Sequence, residues 1–290
     1  MANVATAPAN EQRAVLITGC SSGIGEHVAL ALQKRGYRVL ATARKSEDIA
    51  RLKEQGLEAL RLDLDDSGSI QSAVREVLAR TNGRLYALFN NGAYGQPGAV
   101  EDLSRATLRA QLETNVLGWL ELTNAVLPAM RRQGEGRIIQ NSSLLGFVGL
   151  PLRGAYVCSK FALEGLSDVL RLELAGSGIK VILIQPGPIR SQFRPNAFLA
   201  YRRFIQPKGS HWQDTYLRAE RRLADPQREA PFTLGPEAVL QAVIQALEAR
   251  RPKARYRVTV PSHALAVLKG MLPTRMLDLV LRAISRGENR

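Results

Sequence analysis

Short apolar runs alternate along the chain with longer segments of mixed polarity. "AVLITG" (14–19), "YRVLATAR" (37–44), "LEALRLD" (57–63), "RLYALFNN" (84–91), "GRIIQNSS" (136–143), "IKVILIQPG" (179–187) and "RYRVTV" (255–260) each predict a strand. Most are apolar throughout, the pattern of strands buried on both faces. Between them apolar residues recur at three- and four-residue spacing and predict helices over about 25–36, 67–81, 104–132, 154–175 and 236–250, with a more polar helix near 46–55. This alternation predicts an α/β fold: one Rossmann-type, doubly wound parallel sheet with helices on both faces. No repeat, low-complexity tract or linker divides residues 13–290, which read as a single domain. The stretch 187–234 is the longest break in the alternation and is expected to form a lid over a pocket.

The last segment, 261–286, repeats Leu265, Leu268, Leu272, Met276, Leu279 and Val280 at helical intervals, and Pro273 is expected to kink or divide it. Its charges and proline exclude a membrane span. Packing on its own domain beside the pocket is the favoured fate of the stripe. A subunit contact and an interfacial membrane helix are the alternatives.

Composition narrows the setting. The chain has 290 residues, 45% of them hydrophobic, enough for a sizeable core. Residues 1–12 lack the apolar region of a signal peptide and read as a disordered lead-in. The two cysteines, Cys20 and Cys158, imply no disulfide framework and fit a reducing, cytoplasmic setting. Cys158 is expected to be a buried, inert thiol turned away from its helical neighbours Tyr156 and Lys160. The net charge of +14 is uneven: residues 1–189 hold 21 Lys/Arg against 18 Asp/Glu, and residues 190–290 hold 19 against 8. Such a basic region attracts nucleic acid, anionic lipid or anionic substrates. No zinc-finger spacing or aromatic stacking platform accompanies the charge, so a solvated basic face is preferred to nucleic-acid binding. His27, His211 and His263 are scattered and lack metal-ligand spacing.

Candidate chemistry begins where the first strand meets the first helix, in "TGCSSGIGEHVA". Gly19 permits a tight turn, Gly23 lets backbone approach a pyrophosphate, and Gly25 lets the helix pack close to the sheet. The helix N-terminus offers N–H groups and a positive dipole end. Further on, Tyr156 and Lys160 lie four residues apart and share one helical face. A free phenol titrates near pKa ~10. A cation beside it favours the phenolate and lowers that value, which would suit proton transfer. Ser142 and Ser143 end a strand thirteen or so residues earlier, and alternation lets only one of them face the same site.

Thr18-Gly19-x3-Gly23-Ile24-Gly25, Asn90-Asn91-Gly92, Ser143 and Tyr156-x3-Lys160, in that order, resemble the short-chain dehydrogenase/reductase family over residues 13–260. Within it the chain is most similar to the branch of hydroxysteroid and retinol dehydrogenases and NADP-dependent aldehyde reductases. The resemblance implies hydride transfer between NADP(H) and a carbonyl or alcohol. It implies Tyr156 as general acid/base, Lys160 as its tuning cation and ribose contact, Ser143 as the residue orienting the carbonyl oxygen, and Asn115 as the anchor of a relay water. It also implies cofactor contacts from Gly19, Ser21, Ser22, Gly23, Ile24, Gly25, Asp63, Asn90, Gly92, Pro186, Gly187, Ile189 and Ser191. After the second strand stand Ala43 and Arg44, where NAD enzymes carry an acidic residue, so Arg44 is expected to meet a 2′-phosphate. The sequence departs from the family's order at Gly92–Ala93, which are exchanged, and at Ser191, where threonine is usual. Apolar residues of 187–234, among them Phe193, Phe198, Leu199, Tyr201, Phe204, Ile205 and Trp212, either imply a small hydrophobic aldehyde, ketone or alcohol as substrate or pack the lid onto the body. The long helices imply a homodimer or homotetramer. Two other classes stand beside this reading: a cofactor-binding regulatory protein without chemistry, and a basic membrane-surface or nucleic-acid-binding protein. The intact Ser143, Tyr156 and Lys160 weigh against both.

Overall fold

A computed structural model describes residues 12–225 and 229–288, so nearly all of the lead-in expected over 1–12 lies outside the described residues. The seven expected strands form as β1 (Ala14–Ile17), β2 (Arg38–Ala43), β3 (Glu58–Arg61), β4 (Ala87–Asn90), β5 (Gly136–Asn141), β6 (Ile179–Gln185) and β7 (Arg255–Arg257). They make one parallel sheet in the order β3-β2-β1-β4-β5-β6-β7, in which Val15 sits between Val39 and Ala87. Alternation along β1 explains why this strand is apolar throughout. Val15 and Ile17 face one core, shared with Val28, Leu32, Val239 and Val243. Leu16 faces the other, shared with Leu88, Trp119, Leu122 and Leu163. Strand order reverses between β1 and β4, and a crevice opens at their carboxyl ends.

The helices are α1 (Gly23–Lys34), α2 (Ser46–Glu54), α3 (Ser67–Arg80), α4 (Arg105–Leu112), α5 (Gly118–Gln133), α6 (Gly154–Glu173), α7 (Phe193–Phe204), α8 (Gln213–Ala224), α9 (Glu237–Glu248), α10 (Val260–Met271) and α11 (Thr274–Glu288). Three findings differ from the sequence reading. The helix expected over 104–132 is α4 and α5 joined by a turn of π-helix at Glu113–Leu117. The expected break at 187–234 contains two helices, α7 and α8. Their Tyr201, Ile205, Tyr216 and Ala219 form a small core with Ala99 and Leu152 of the body. Cys158 turns away from Tyr156 and Lys160 as expected, yet it is exposed, while burial pushes the Cys20 thiol up to about 12. Pro273 divides the C-terminal segment into α10 and α11. Both pack back onto the body, with Leu265 and Leu281 buried against Leu144, Leu145 and Tyr156.

Candidate active site

The turn after β1 is shaped by close backbone approach. Gly19 and Gly23 adopt left-handed conformations with φ of +69° and +61°. A Cβ on Gly19 would lie 2.5 Å from the Cα of Gly92. The Thr18 Oγ1 accepts the amides of Asn91 and Gly92, each at 2.8 Å, and ties this turn to the end of β4. Asn91 Nδ2 donates to Thr18 O at 3.0 Å, and Asn141 Nδ2 donates to Asn91 Oδ1 at 2.9 Å. Ser22 leads into α1 without a side-chain cap, which leaves first-turn N–H groups to an anion.

A cleft of about 1200 Å³ runs from this turn past Arg44 and Asp63 to Ser143, Tyr156 and Lys160, with Pro186–Ser191 and the lid opposite. At its floor the three polar side chains are buried. Ser143 accepts the Leu145 amide at 3.1 Å, which fixes its rotamer at the end of β5. Its neighbour Ser142 points under Gly146, so Ser143 is the serine that lines the cleft. Burial pushes the Tyr156 phenol well above its ordinary value, and a hydrogen bond with Ser143 acts in the opposite direction.

Lys160 does not reach for that phenol. Its Nζ donates to Asn141 O at 2.8 Å and sits 4.3 Å from the centre of the Trp119 ring, against 5.7 Å for the Tyr156 ring. Burial lowers the ammonium to about 7, partly opposed by the Glu164 carboxylate one turn along α6. The expected tuning of Tyr156 by Lys160 is therefore not a direct contact; burial of each group dominates. Trp119 also donates from Nε1 to Gly92 O at 2.8 Å, so one indole joins the lysine to the glycine turn. On the open side, Phe193 at the start of α7 meets Tyr156 edge-on, with ring centres 5.2 Å apart. Gly95 makes room for that ring, since a Cβ there would lie 2.5 Å from it.

The short-chain dehydrogenase model matches residues 13–201. The chain belongs to the short-chain dehydrogenase family. The uncharacterized oxidoreductase YbbO of Escherichia coli K12 is 43% identical over 271 residues, covering 93% of this chain and 94% of that protein. Human 17-beta-hydroxysteroid dehydrogenase type 1 is 35% identical over 260 residues, 84% of this chain and 77% of that one. The crystal structure of a short-chain dehydrogenase from Streptomyces avermitilis superposes with a TM-score of 0.75 at 28% identity, covering 97% and 99% of the two chains.

In this short-chain dehydrogenase most of the residues singled out in the sequence meet in one cleft: Gly19, Ser21, Ser22, Gly23, Ile24, Arg44, Asp63, Gly92, Ser143, Tyr156, Lys160, Pro186, Gly187, Ile189 and Ser191. Ser191 lies against the glycine turn, 3.0 Å from where a Gly23 Cβ would be. Three do not line it. Gly25 packs α1 against the turn, where a Cβ would overlap Gly19 O. Asn90 is buried within the sheet and donates to Thr123 Oγ1 and Gln140 Oε1. Asn115 lies in the π turn, bonded to both the amide and the carbonyl of Tyr94 and to Ser159 Oγ rather than to Lys160. Sequence reasoning missed Asn91, the neighbour that does line the cleft, and Trp119. Residue alternation past the end of β4 was the available signal for Asn91; Trp119 gave none. No helix among the described residues is long and apolar enough to cross a membrane.

Proposed function

We propose that the protein is an NADPH-dependent carbonyl reductase, an alcohol dehydrogenase in reverse, acting on a hydrophobic aldehyde or ketone. One observation carries the reading: Ser143, Tyr156 and Lys160 are buried together at the floor of a cleft whose other end is a glycine cradle. The cradle suits a dinucleotide's pyrophosphate, because α1 begins with no side-chain cap on its first-turn N–H groups and Gly19 and Gly23 turn the backbone there without side chains. Gly19–Ile24, Asp63, Gly92 and Pro186–Ser191 would hold it. When bound, the nicotinamide supplies or accepts the hydride. Arg44 would receive a 2′-phosphate, and Ala43 leaves no carboxylate to repel it.

The chain's own residues handle the substrate and its proton. Ser143 orients the carbonyl oxygen. Tyr156 donates its hydroxyl proton to that oxygen. A buried phenol with a raised pKa holds its proton until the site is charged, and a cation near the phenol lowers the barrier to giving it up. Lys160, near the Tyr156 ring but bonded to Asn141 O, would supply that cation through space and would contact the ribose of a bound cofactor. Asn115, through Tyr94 and Ser159, holds the backbone on which these groups sit. Phe193, Phe198 and Leu145 give the pocket apolar walls, which favours hydrophobic substrates. The steroid named for the human relative is of that chemical class. The protein works in the cytoplasm as a homodimer or homotetramer.

The test is purified protein with NADPH and a panel of aliphatic, aromatic and steroid carbonyls, read by loss of reduced-nicotinamide absorbance. Turnover is expected for hydrophobic members and is abolished in Tyr156→Phe, whose NADPH affinity stays within about twofold because only the proton donor is lost. Tight NADPH binding with no turnover of any carbonyl would make the chain a cofactor-binding regulatory protein instead.

A further inference from the structure

The C-terminal helices bury one face and leave the other bare. Leu277 and Leu281 of α11 pack in one apolar cluster with Leu144, Leu145 and Tyr156, which line the cleft, while no residue of α10 or α11 lines it directly. On the outside, Met271 at the end of α10 is 75% exposed, and Met276 and Leu279 of α11 are 53% and 66% exposed. Arg275, Arg282 and Arg286 stand seven and four residues apart and form an exposed row along the same side of α11. Among the described residues none of the three has an ion-pair or hydrogen-bond partner, and one carboxylate, Asp278, lies beside the row. Apolar tips of this size left in water are unfavourable, and a cationic row beside them specifies what could cover them.

We infer that the outer face of α10 and α11 docks on an anionic lipid surface, while their inner face stays packed on the cluster of Leu144, Leu145 and Tyr156. The charge complementarity decides the occupant. A second copy pairing about a two-fold axis would set the arginine row against itself. An anionic bilayer neutralises that row at the headgroups while Met271, Met276 and Leu279 enter the acyl boundary, and the long arginine stems let their heads stay in the headgroup layer. The docking itself does not depend on the proposed reaction and is read without activity.

The full-length protein is sedimented with vesicles of phosphatidylcholine alone and of phosphatidylcholine mixed with phosphatidylserine. Cosedimentation is expected with the serine-containing vesicles, and it is lost at high salt. Arg275→Gln/Arg282→Gln/Arg286→Gln is expected to weaken binding on the order of a hundredfold, and Met276→Ser/Leu279→Ser to weaken it as well. All five positions are exposed or border the exposed face, so circular dichroism should be unchanged in both variants. Failure to pellet with anionic vesicles at low salt, equal pelleting with both vesicle types, or undiminished binding of the arginine variant would each overturn the inference. A fall in molar mass of Met276→Ser/Leu279→Ser by light scattering would overturn it too, since a second copy would then be the occupant.

Discussion

Lys160 is an ammonium held where water does not reach, and its stability signature follows from that. The native protein releases its proton near pH 7, whereas the ordinary value is 10.5. Between these values the unfolded chain binds the extra proton, so this group's contribution to stability rises with pH across the interval and is most unfavourable below about 7. Lys160→Met should therefore raise the stability of the cofactor-free protein at neutral pH by about 1–3 kcal/mol, with turnover lost, and the gain should shrink toward pH 10.5. Urea melts at several pH values check both. A lower midpoint in the variant would mean that the bond to Asn141 O and the Trp119 face outweigh desolvation. Arg44 makes a second residue-scale prediction. Arg44→Ala should weaken NADPH by about 1.5–3 kcal/mol and leave NADH nearly unchanged, through loss of a charge-assisted contact. Fluorescence titration of both cofactors decides it, and equal weakening would show that Arg44 does not touch the 2′-phosphate. At this scale the sequence named residue types well and directions poorly. Tyr156 and Lys160 share a helical face by spacing alone, but which groups the ammonium meets depends on Asn141 and Trp119, which come from other elements.

The elements were legible in proportion to how cleanly one period dominates them. β1, β4 and β6 are short, mostly apolar runs, while β3 and β7 carry charged ends, and each strand formed within a few residues of its predicted span. α7 and α8 do not stand out in the sequence because "FRPNAFLAYRRF" and "QDTYLRAERRLA" carry many charges and bury a narrow stripe. What fixes them is contact with the turn at Val100–Asp102. The Tyr216 hydroxyl accepts the Ala99 amide at 2.8 Å and donates to Asp102 Oδ2 at 2.6 Å, and Ser210 Oγ donates to the same oxygen at 2.7 Å. Tyr216→Phe leaves a buried amide and a carboxylate short of partners. It should loosen the lid by about 1–2 kcal/mol, seen as faster proteolytic nicking between α7 and α8 and a raised KM for hydrophobic carbonyls. Unchanged nicking would show that apolar packing alone holds the lid. The π turn at Glu113–Leu117 is invisible for a related reason: one extra residue in a helical run leaves the periodicity almost unaltered, while the bonds of Asn115 to Tyr94 made from that turn are contacts across the chain.

Assembly is the property of the whole molecule that the monomer leaves open. α6 exposes Phe161, Leu166, Val169 and Leu172, the last at 71%, with Leu117 and Leu120 on the adjoining helical run. The proposed homodimer or homotetramer would cover this face, so light scattering should report at least twice the monomer mass. Val169→Glu/Leu172→Glu should return the protein to a monomer with its circular dichroism unchanged, and a monomeric wild-type protein would refute the assignment. The alternation of apolar runs and amphipathic segments determined the doubly wound sheet, because burial on both faces leaves a strand no polar side to show. The glycine turn and the Tyr156–Lys160 spacing determined where chemistry would sit, because those requirements are local in sequence. Tertiary structure alone decided that Asn115 holds backbone one layer below the cleft, that the lid is helical, and that α11 turns Leu277 and Leu281 inward and its arginine row outward. Each of these depends on partners distant along the chain, whose positions exist only once the sheet has brought the segments together.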